Sequence, residues 1–416
     1  MKSFLTTNDK KDCTGCSACK LKCPKQAITM QEDKEGFLYP YIDMQLCIKC
    51  GICEKICPMN NETFSTNSYE PHYLGIWAKS KEYLMSCSTG GVCTLIAEYI
   101  LNKGGKVFGV IFDEENMSAS HCQINNLSEQ KAMRGSKYIQ SDVKQTYHEA
   151  KILLEKGTLV YYTGTPCQIA GLKAFLKKDY NNLITTDLIC HGVFSKKFLK
   201  YEYEMYRKWY GNNIKNFKFR SKKHFPWSRG GVINFNVGKK HIEIYAKYSP
   251  MYYAYTFAKD KLNLRLSCYN CKYRTILKRE GDIMVGDYWG GAKLYPDQFT
   301  RERKKYGISL IKINTEKGNK IIEAIKDKVF FFSITEENAN QQPDLKGVKR
   351  KIPQERYEIY RKIEELDYEK YAAQFMNIPH FKRKGIFDYY VQFAKNFVIN
   401  SPLYPLIIKF KNYGNK

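Results

Sequence analysis

The sequence predicts an α+β chain with α/β character: a small cysteine-rich module followed by a larger mixed α/β lobe. Three observations predict it. Eight of the 15 cysteines fall into two matching sets before residue 60. Between residues 73 and 195, apolar strand-like runs alternate with helix-period segments. The chain has 416 residues, too many for one ordinary core when domains run to about 100–200 residues. The expected division is a module over 1–60, a linker over 61–70, two parts of the larger lobe over 71–195 and 196–340, and a basic, mainly helical tail over 341–416.

The module comes first. Cys13, Cys16, Cys19 and Cys23 recur as Cys47, Cys50, Cys53 and Cys57, and Pro24 recurs as Pro58. Each set reads C-x2-C-x2-C-x3-C-P, the run in which three cysteines wrap one iron–sulfur cube and the fourth reaches its neighbour. Cys13, Cys16, Cys19 and Cys57 are therefore expected to hold one [4Fe–4S] cluster, and Cys47, Cys50, Cys53 and Cys23 a second. Zinc also takes thiolates, but four ligands per site do not explain this spacing occurring twice. Side by side, two such clusters form a one-electron relay, as in a small bacterial 2[4Fe–4S] ferredoxin domain.

Polar residues from Asn60 to Glu70 read as the linker. Beyond it, Tyr73–Lys79 reads as a strand, and Gly90-Gly91 opens a helix running to Leu101. Lys106–Phe112 reads as a buried strand, Asp142–Glu155 as a helix stopped by Gly157, and Thr158–Thr163 as a strand. Cys167–Lys177 is helical in pattern, Leu183–Ile189 is strand-like, and Ser195 is placed to cap the helix that follows. This alternation suggests a mostly parallel sheet with sites at strand C-termini. Asn216–Tyr248 alternates like antiparallel strands. Pro250–Leu264 reads as a helix, Asp282–Trp289 and Gly307–Ile313 as strands, and Glu316–Asp327 as a helix.

Seven cysteines lie outside the module. Cys167 and Cys190 each follow a predicted strand, and Cys268 and Cys271 form a lone C-x-x-C. If the two strands are neighbours, four thiols meet around a third cluster; inert buried cysteine is the equal alternative. Cys87, Cys93 and Cys122 read as core or incidental residues. His191 follows Cys190 and is either a proton donor or a histidine satisfied by local backbone. Ser86–Gly91 and Gly135–Tyr138 are small-residue turns at which an anion can bind, or ordinary helix starts.

Net charge is +26, and a basic surface steers acidic partners toward it. An acidic electron carrier such as ferredoxin or flavodoxin fits this charge. No motif with groove-reading geometry points to nucleic acid. The N-terminus lacks the apolar region of a secretory signal, so the expected setting is cytoplasmic. There thiols stay reduced, and 15 cysteines argue for metal over disulfides. In the tail, Lys382-Arg383-Lys384 precede a helix-spaced apolar face of Phe387, Tyr390, Val391, Ala394 and Val398. Such a stripe packs on a core or lies on an anionic membrane surface.

Taken together, these segments resemble the family of coenzyme F420 hydrogenase/dehydrogenase beta subunits, in the bacterial form that carries an N-terminal 2[4Fe–4S] ferredoxin domain. The resemblance is carried, in order, by SCSTGG at Ser86–Gly91, RGSKYIQSD at Arg134–Asp142, YTGTPCQIAGL at Tyr162–Leu172, DLICHGVFS at Asp187–Ser195, the Cys268/Cys271 pair and DIMVGDYWG at Asp282–Gly290. It implies a further [4Fe–4S] cluster and an FAD in the larger lobe. By the resemblance Cys167, Cys190, Cys268 and Cys271 become ligands of the third cluster. Ser88, Gly90, Gly91, Ser136, Lys137, Tyr138, Gly164 and Thr165 become flavin-site residues, with His191 as the catalytic candidate. The implied activity is an oxidoreductase that takes electrons from a ferredoxin-like donor and passes hydride from the flavin to an organic acceptor. That acceptor is either deazaflavin-like or, because many bacterial relatives of this layout look like parts of surface-polysaccharide gene clusters, a metabolite of polysaccharide biosynthesis. A non-catalytic electron-transfer subunit or scaffold is the alternative.

Overall fold

A computed structural model describes residues 3–60, 69–223, 227, 232–245, 261–277, 279–363, 365–366, 394, 398 and 401. The expected linker over 61–68, most of the expected helix at Pro250–Leu264, and most of the tail stripe at 382–398 lie outside the described residues.

The cysteine duplication is also a backbone duplication. Gly15 and Ser17 take left-handed φ values of 70° and 61°, and their counterparts Lys49 and Gly51 take 52° and 70°. Each second left-handed residue opens a short helix, Ala18–Lys22 or Ile52–Lys55, with Cys19 or Cys53 at its second position. Left-handed backbone at these points turns the chain tightly enough to present thiols at two-residue intervals. Strand β1 (Ile28–Glu32) pairs antiparallel with β2 (Leu38–Ile42) between the repeats.

The larger lobe is built on a nine-stranded sheet. Its strands are β3 (His72–Ala78), β4 (Lys106–Asp113), β5 (Ser118–Ile124), β6 (Ser141–Asp142), β7 (Val160–Gly164) and β8 (Leu183–Leu188), then β12 (Ile283–Asp287), β13 (Ser309–Ile313) and β14 (Val329–Ile334). Their order is β14-β3-β13-β12-β8-β7-β4-β5-β6. Between β8 and β12 the chain makes a separate antiparallel sheet of β9 (Ile214–Lys218), β10 (Val232–Val237) and β11 (Lys240–Tyr245).

A mostly parallel sheet is the expectation from sequence, and the structure corrects it. Only the centre, β12-β8-β7-β4, and the β5-β6 edge pair in parallel. The β4–β5 hairpin and the β12-β13-β3-β14 side are antiparallel. Ser118–Ile124 and Val329–Ile334, which the sequence reading leaves unassigned, add an antiparallel pair at each side, and Ser309–Ile313 runs antiparallel to both its neighbours.

Helices Val92–Asn102 and Pro166–Leu176 cover the sheet. The first packs Leu95, Ile96, Ala97 and Ile100 against strand residues such as Ile76, Val107 and Tyr161. The second joins the cysteine-rich module to the lobe: Cys16, Ala18, Leu21 and Ile56 share a core with Ile169, Leu172 and Phe175. Gly171 makes that approach possible. A Cβ there would lie 2.9 Å from the Cys16 Cβ and 3.1 Å from its Sγ. The module is therefore docked on the lobe through the surface that carries its first cysteines. Among the described residues no helix is long and apolar enough to cross a membrane.

His121 on β5 is fully buried beneath Gly164, held between the Thr163 carbonyl at 2.9 Å and the Ser141 hydroxyl at 3.1 Å. Burial pushes its imidazole down to about 4. The unfolded chain, with an ordinary imidazole, binds more protons than the folded one between about pH 6.5 and 4, so stability falls as pH drops through that window. The loss should reach about 3 kcal/mol by pH 4. Comparing urea unfolding of the native protein and His121→Gln across that range should show the extra slope only in the native protein.

Candidate functional site

The C-terminal ends of β7 and β8 are neighbours, as parallel pairing from Val160–Leu183 to Gly164–Asp187 requires. After β7, Thr165 caps the helix Pro166–Leu176 and Cys167 sits in its first turn. After β8 the chain passes through Cys190, His191 and Gly192. Cys268 lies in the short helix Leu266–Tyr269, and Cys271 follows it. Cys167, Cys190, Cys268 and Cys271 together line one small cavity. A second cavity is lined by Cys13, Cys16, Cys19 and Cys57, three cysteines from one repeat and the last of the other. Cys47 and Cys23 are half-buried, while Cys50 is exposed within electrostatic reach of Cys53.

The chemistry of these cavities suits a buried metal cluster. Desolvation, then the proximity of neighbouring cysteines, pushes the thiols of Cys190, Cys268 and Cys271 up to about 12. Cys16 and Cys19 are pushed up by the same causes in the same order. Four such sulfurs become thiolates only against strong positive charge, which bound metal supplies. Tyr273 Oη and Arg274 Nε belong to residues lining the four-cysteine cavity, and both are buried without a hydrogen-bond partner among the described residues. Donors of this kind fit the inorganic and thiolate sulfurs of a cluster.

A third, larger cavity of about 270 Å³ adjoins the four-cysteine one. Ser88, Gly91, Ser136, Lys137, Tyr138, Gly164, Thr165 and His191 all line it. Gly90 does not line it but stands behind the wall. Its amide donates to Ser309 Oγ at 3.1 Å, its carbonyl accepts from Ala78, and a Cβ would meet the Ile76 carbonyl at 2.4 Å. Ser88 Oγ accepts from the Ser136 amide at 2.7 Å, which ties the two small-residue turns into one rim. The first turn of helix Val92–Asn102 also faces the cavity. Half-buried Lys137 donates to the carbonyls of Ala132, Met133 and Arg134, and desolvation lowers its ammonium to about 7. Thr89 Oγ1, on the same wall, is buried without a partner among the described residues. A helix N-terminus and an unpaired hydroxyl on one wall fit a phosphate-bearing cofactor.

Cys87 and Cys93, expected to be incidental, also line this cavity, whereas Cys122 does not. His191 is held in place: its Nδ1 is 2.9 Å from Asp344 Oδ1, which also accepts from Arg350 Nη2 at 2.7 Å. Burial opposes ionisation of Asp344, but the hydrogen bond from His191 and the charges of His191, Arg350 and Arg274 hold its carboxyl down at about 2. Sequence reasoning misses Asp344, Arg350, Arg265 and Arg279, since a single charged residue carries no local sign of its distant partners.

Residues 12–61 match a 4Fe-4S dicluster domain, and residues 157–337 match the C terminus of the coenzyme F420 hydrogenase/dehydrogenase beta subunit. One subunit of the F(420)H(2) dehydrogenase of Methanosarcina mazei is 24% identical over 76% of this chain and 83% of its own length. Coenzyme F420-dependent sulfite reductase of Methanocaldococcus jannaschii is 25% identical over 83% of this chain, which spans 50% of that relative. A chain of the F420-reducing [NiFe] hydrogenase complex from Methanosarcina barkeri aligns with a TM-score of 0.44 at 16% identity, over 66% of this chain and 88% of that one. The chain is thus an iron–sulfur protein of the electron-transfer, oxidoreductase type: a 4Fe-4S dicluster domain joined to a lobe related to coenzyme F420 hydrogenase/dehydrogenase beta subunits.

Proposed function

We propose that the protein takes electrons from an acidic one-electron carrier and delivers them, through three [4Fe–4S] clusters and an FAD, to an organic acceptor of the deazaflavin class. One observation carries this reading: the three cavities form a row with shared walls. Thr14 lines both the module's cavity and the four-cysteine cavity. Thr165, Cys190, Gly192 and Val193 line both the four-cysteine cavity and the large one. The relatives named for the F420 coenzyme support the acceptor class.

In this reading Cys13, Cys16, Cys19 and Cys57 hold the cluster next to the lobe, and Cys47, Cys50, Cys53 and Cys23 the outer one. Electrons enter at the outer cluster, where exposed Cys50 lies among the exposed Tyr41, Met44, Leu46 and Ile48. Cys167, Cys190, Cys268 and Cys271 hold the third. A flavin in the large cavity would convert single electrons into a two-electron hydride transfer. Ser88, Gly91, Ser136 and Lys137 bind its phosphates, Gly164 and Thr165 let it approach the third cluster, and His191, fixed by Asp344, holds a proton at the cavity wall.

Cofactor content tests the proposal. Protein purified without oxygen should carry about twelve iron with matching acid-labile sulfide and one extractable FAD. About eight iron and no flavin would remove the third cluster and the flavin together. A second reading, a relay subunit with no acceptor of its own, is favoured by the relative named as a dehydrogenase subunit. Fully loaded protein that reduces no deazaflavin until a partner protein is added would select it.

A further inference from the structure

We infer that Arg265 is the buried counter-charge shared by the inner ferredoxin cluster and the third cluster, and that it raises the reduction potential of both. The inference rests on the cluster-ligand reading above. Arg265 is fully buried, yet its guanidinium meets only neutral groups. Nε donates to the Cys13 carbonyl at 2.7 Å, Nη1 to Gln140 Oε1 at 3.1 Å, and Nη2 to the Leu38 carbonyl at 2.9 Å. Its face lies 4.1 Å from the Tyr39 ring centroid. Among the described residues no carboxylate pairs with it. A buried cation without an anion is strongly unfavourable, so the arrangement calls for negative charge close by.

That charge has two sources within reach. Arg265 interacts electrostatically with Cys13 on one side and with Cys167 and Cys268 on the other. These are proposed ligands of two different clusters, each of which carries net negative charge and gains one more on reduction. A fixed cation between them favours the reduced form of each and offsets their mutual repulsion when both are reduced. A purely mechanical clamp between module and lobe would need the hydrogen bonds but not the charge.

The test is potentiometry followed by electron paramagnetic resonance on the full-length, anaerobically loaded protein, comparing Arg265→Gln and Arg265→Lys with the native chain. Arg265→Gln with full iron and sulfide should show at least a tenfold smaller equilibrium constant for reducing one or both clusters, a shift of about 59 mV or more to lower potential. Arg265→Lys should stay near the native potential. If Arg265→Gln does not hold its clusters while Arg265→Lys does, the charge is again the feature that matters. A loaded Arg265→Gln at native potential overturns the inference, and so does loss of clusters in both variants. A native protein without either cluster overturns both this inference and the ligand reading, whereas a loaded native protein with an unshifted Arg265→Gln overturns this inference alone.

Discussion

Cys268→Ala should purify with about four iron fewer than the native protein, the content of one [4Fe–4S] cluster, while keeping the ferredoxin clusters and the flavin. Its ferredoxin clusters should still accept electrons from a reduced carrier. Flavin reduction through that route should slow at least about 100-fold, beyond the 10–100-fold range of changes outside the ligand set. The reason is geometric. The four-cysteine cavity lies between the module's cavity and the large one and shares wall residues with each. No other group of buried thiols lies between the two among the described residues. Rapid-mixing absorbance separates the steps, since cluster bleaching and flavin bleaching are read at different wavelengths. Native-rate flavin reduction in a Cys268→Ala protein lacking four iron would place the third cluster off the path. An undiminished iron content would show that Cys268 is not a ligand.

How much of this is legible in the sequence follows the range of each signal. Cluster spacing is a local pattern, and the repeat at Cys13–Pro24 and Cys47–Pro58 stands out without any fold. The pairing of Cys57 with Cys13, Cys16 and Cys19 follows from the same pattern, and all four line one cavity. The strands ending at Gly164 and Leu188 are readable from apolar runs, and their adjacency brings Cys167 and Cys190 to one cavity. The hairpin partner β5 and the edge strand β14 escape detection because sheet pairing is set by long-range contacts that composition does not record. Gly90 reads as part of the flavin wall with its neighbours, yet its missing side chain serves strand packing against Ile76 and Ser309. The least legible residues are the buried charges. Arg265, Arg279, Asp344 and Arg350 each have a partner 91 to 252 positions away, a range over which loop closure brings distant segments together and sequence spacing carries no information.

Arg279→Ala illustrates why such residues matter, and it should strongly destabilise the lobe. Arg279 and Asp187 are both buried, 1% and 0% exposed at their side chains, with Nη2 to Oδ1 at 2.7 Å. Asp187 is the penultimate residue of β8, and its other oxygen accepts from the Glu280 and Gly281 amides at 3.0 Å. Arg279 also donates to the Leu188 carbonyl at 2.7 Å and to the Tyr273 carbonyl at 2.8 Å. One guanidinium therefore ties the strand leading into Cys190 to the turn carrying Cys268 and Cys271. Removing one member of a buried pair leaves an uncompensated charge and costs about 3–5 kcal/mol. Asp187 keeps its two amide donors, which places the expected loss toward the lower end of that range. Because the clamp closes around three of the four proposed ligands, the same change should lower occupancy of the third cluster while sparing the dicluster module. Denaturant unfolding of the anaerobic protein gives the stability loss, and iron content gives the occupancy. Arg279→Lys keeps the charge but not the fork that reaches Asp187, Leu188 and Tyr273 together, so it should recover part of the stability and little of the occupancy. A large stability loss with twelve iron retained would show that the clamp supports the fold alone and that the four cysteines hold their positions without it.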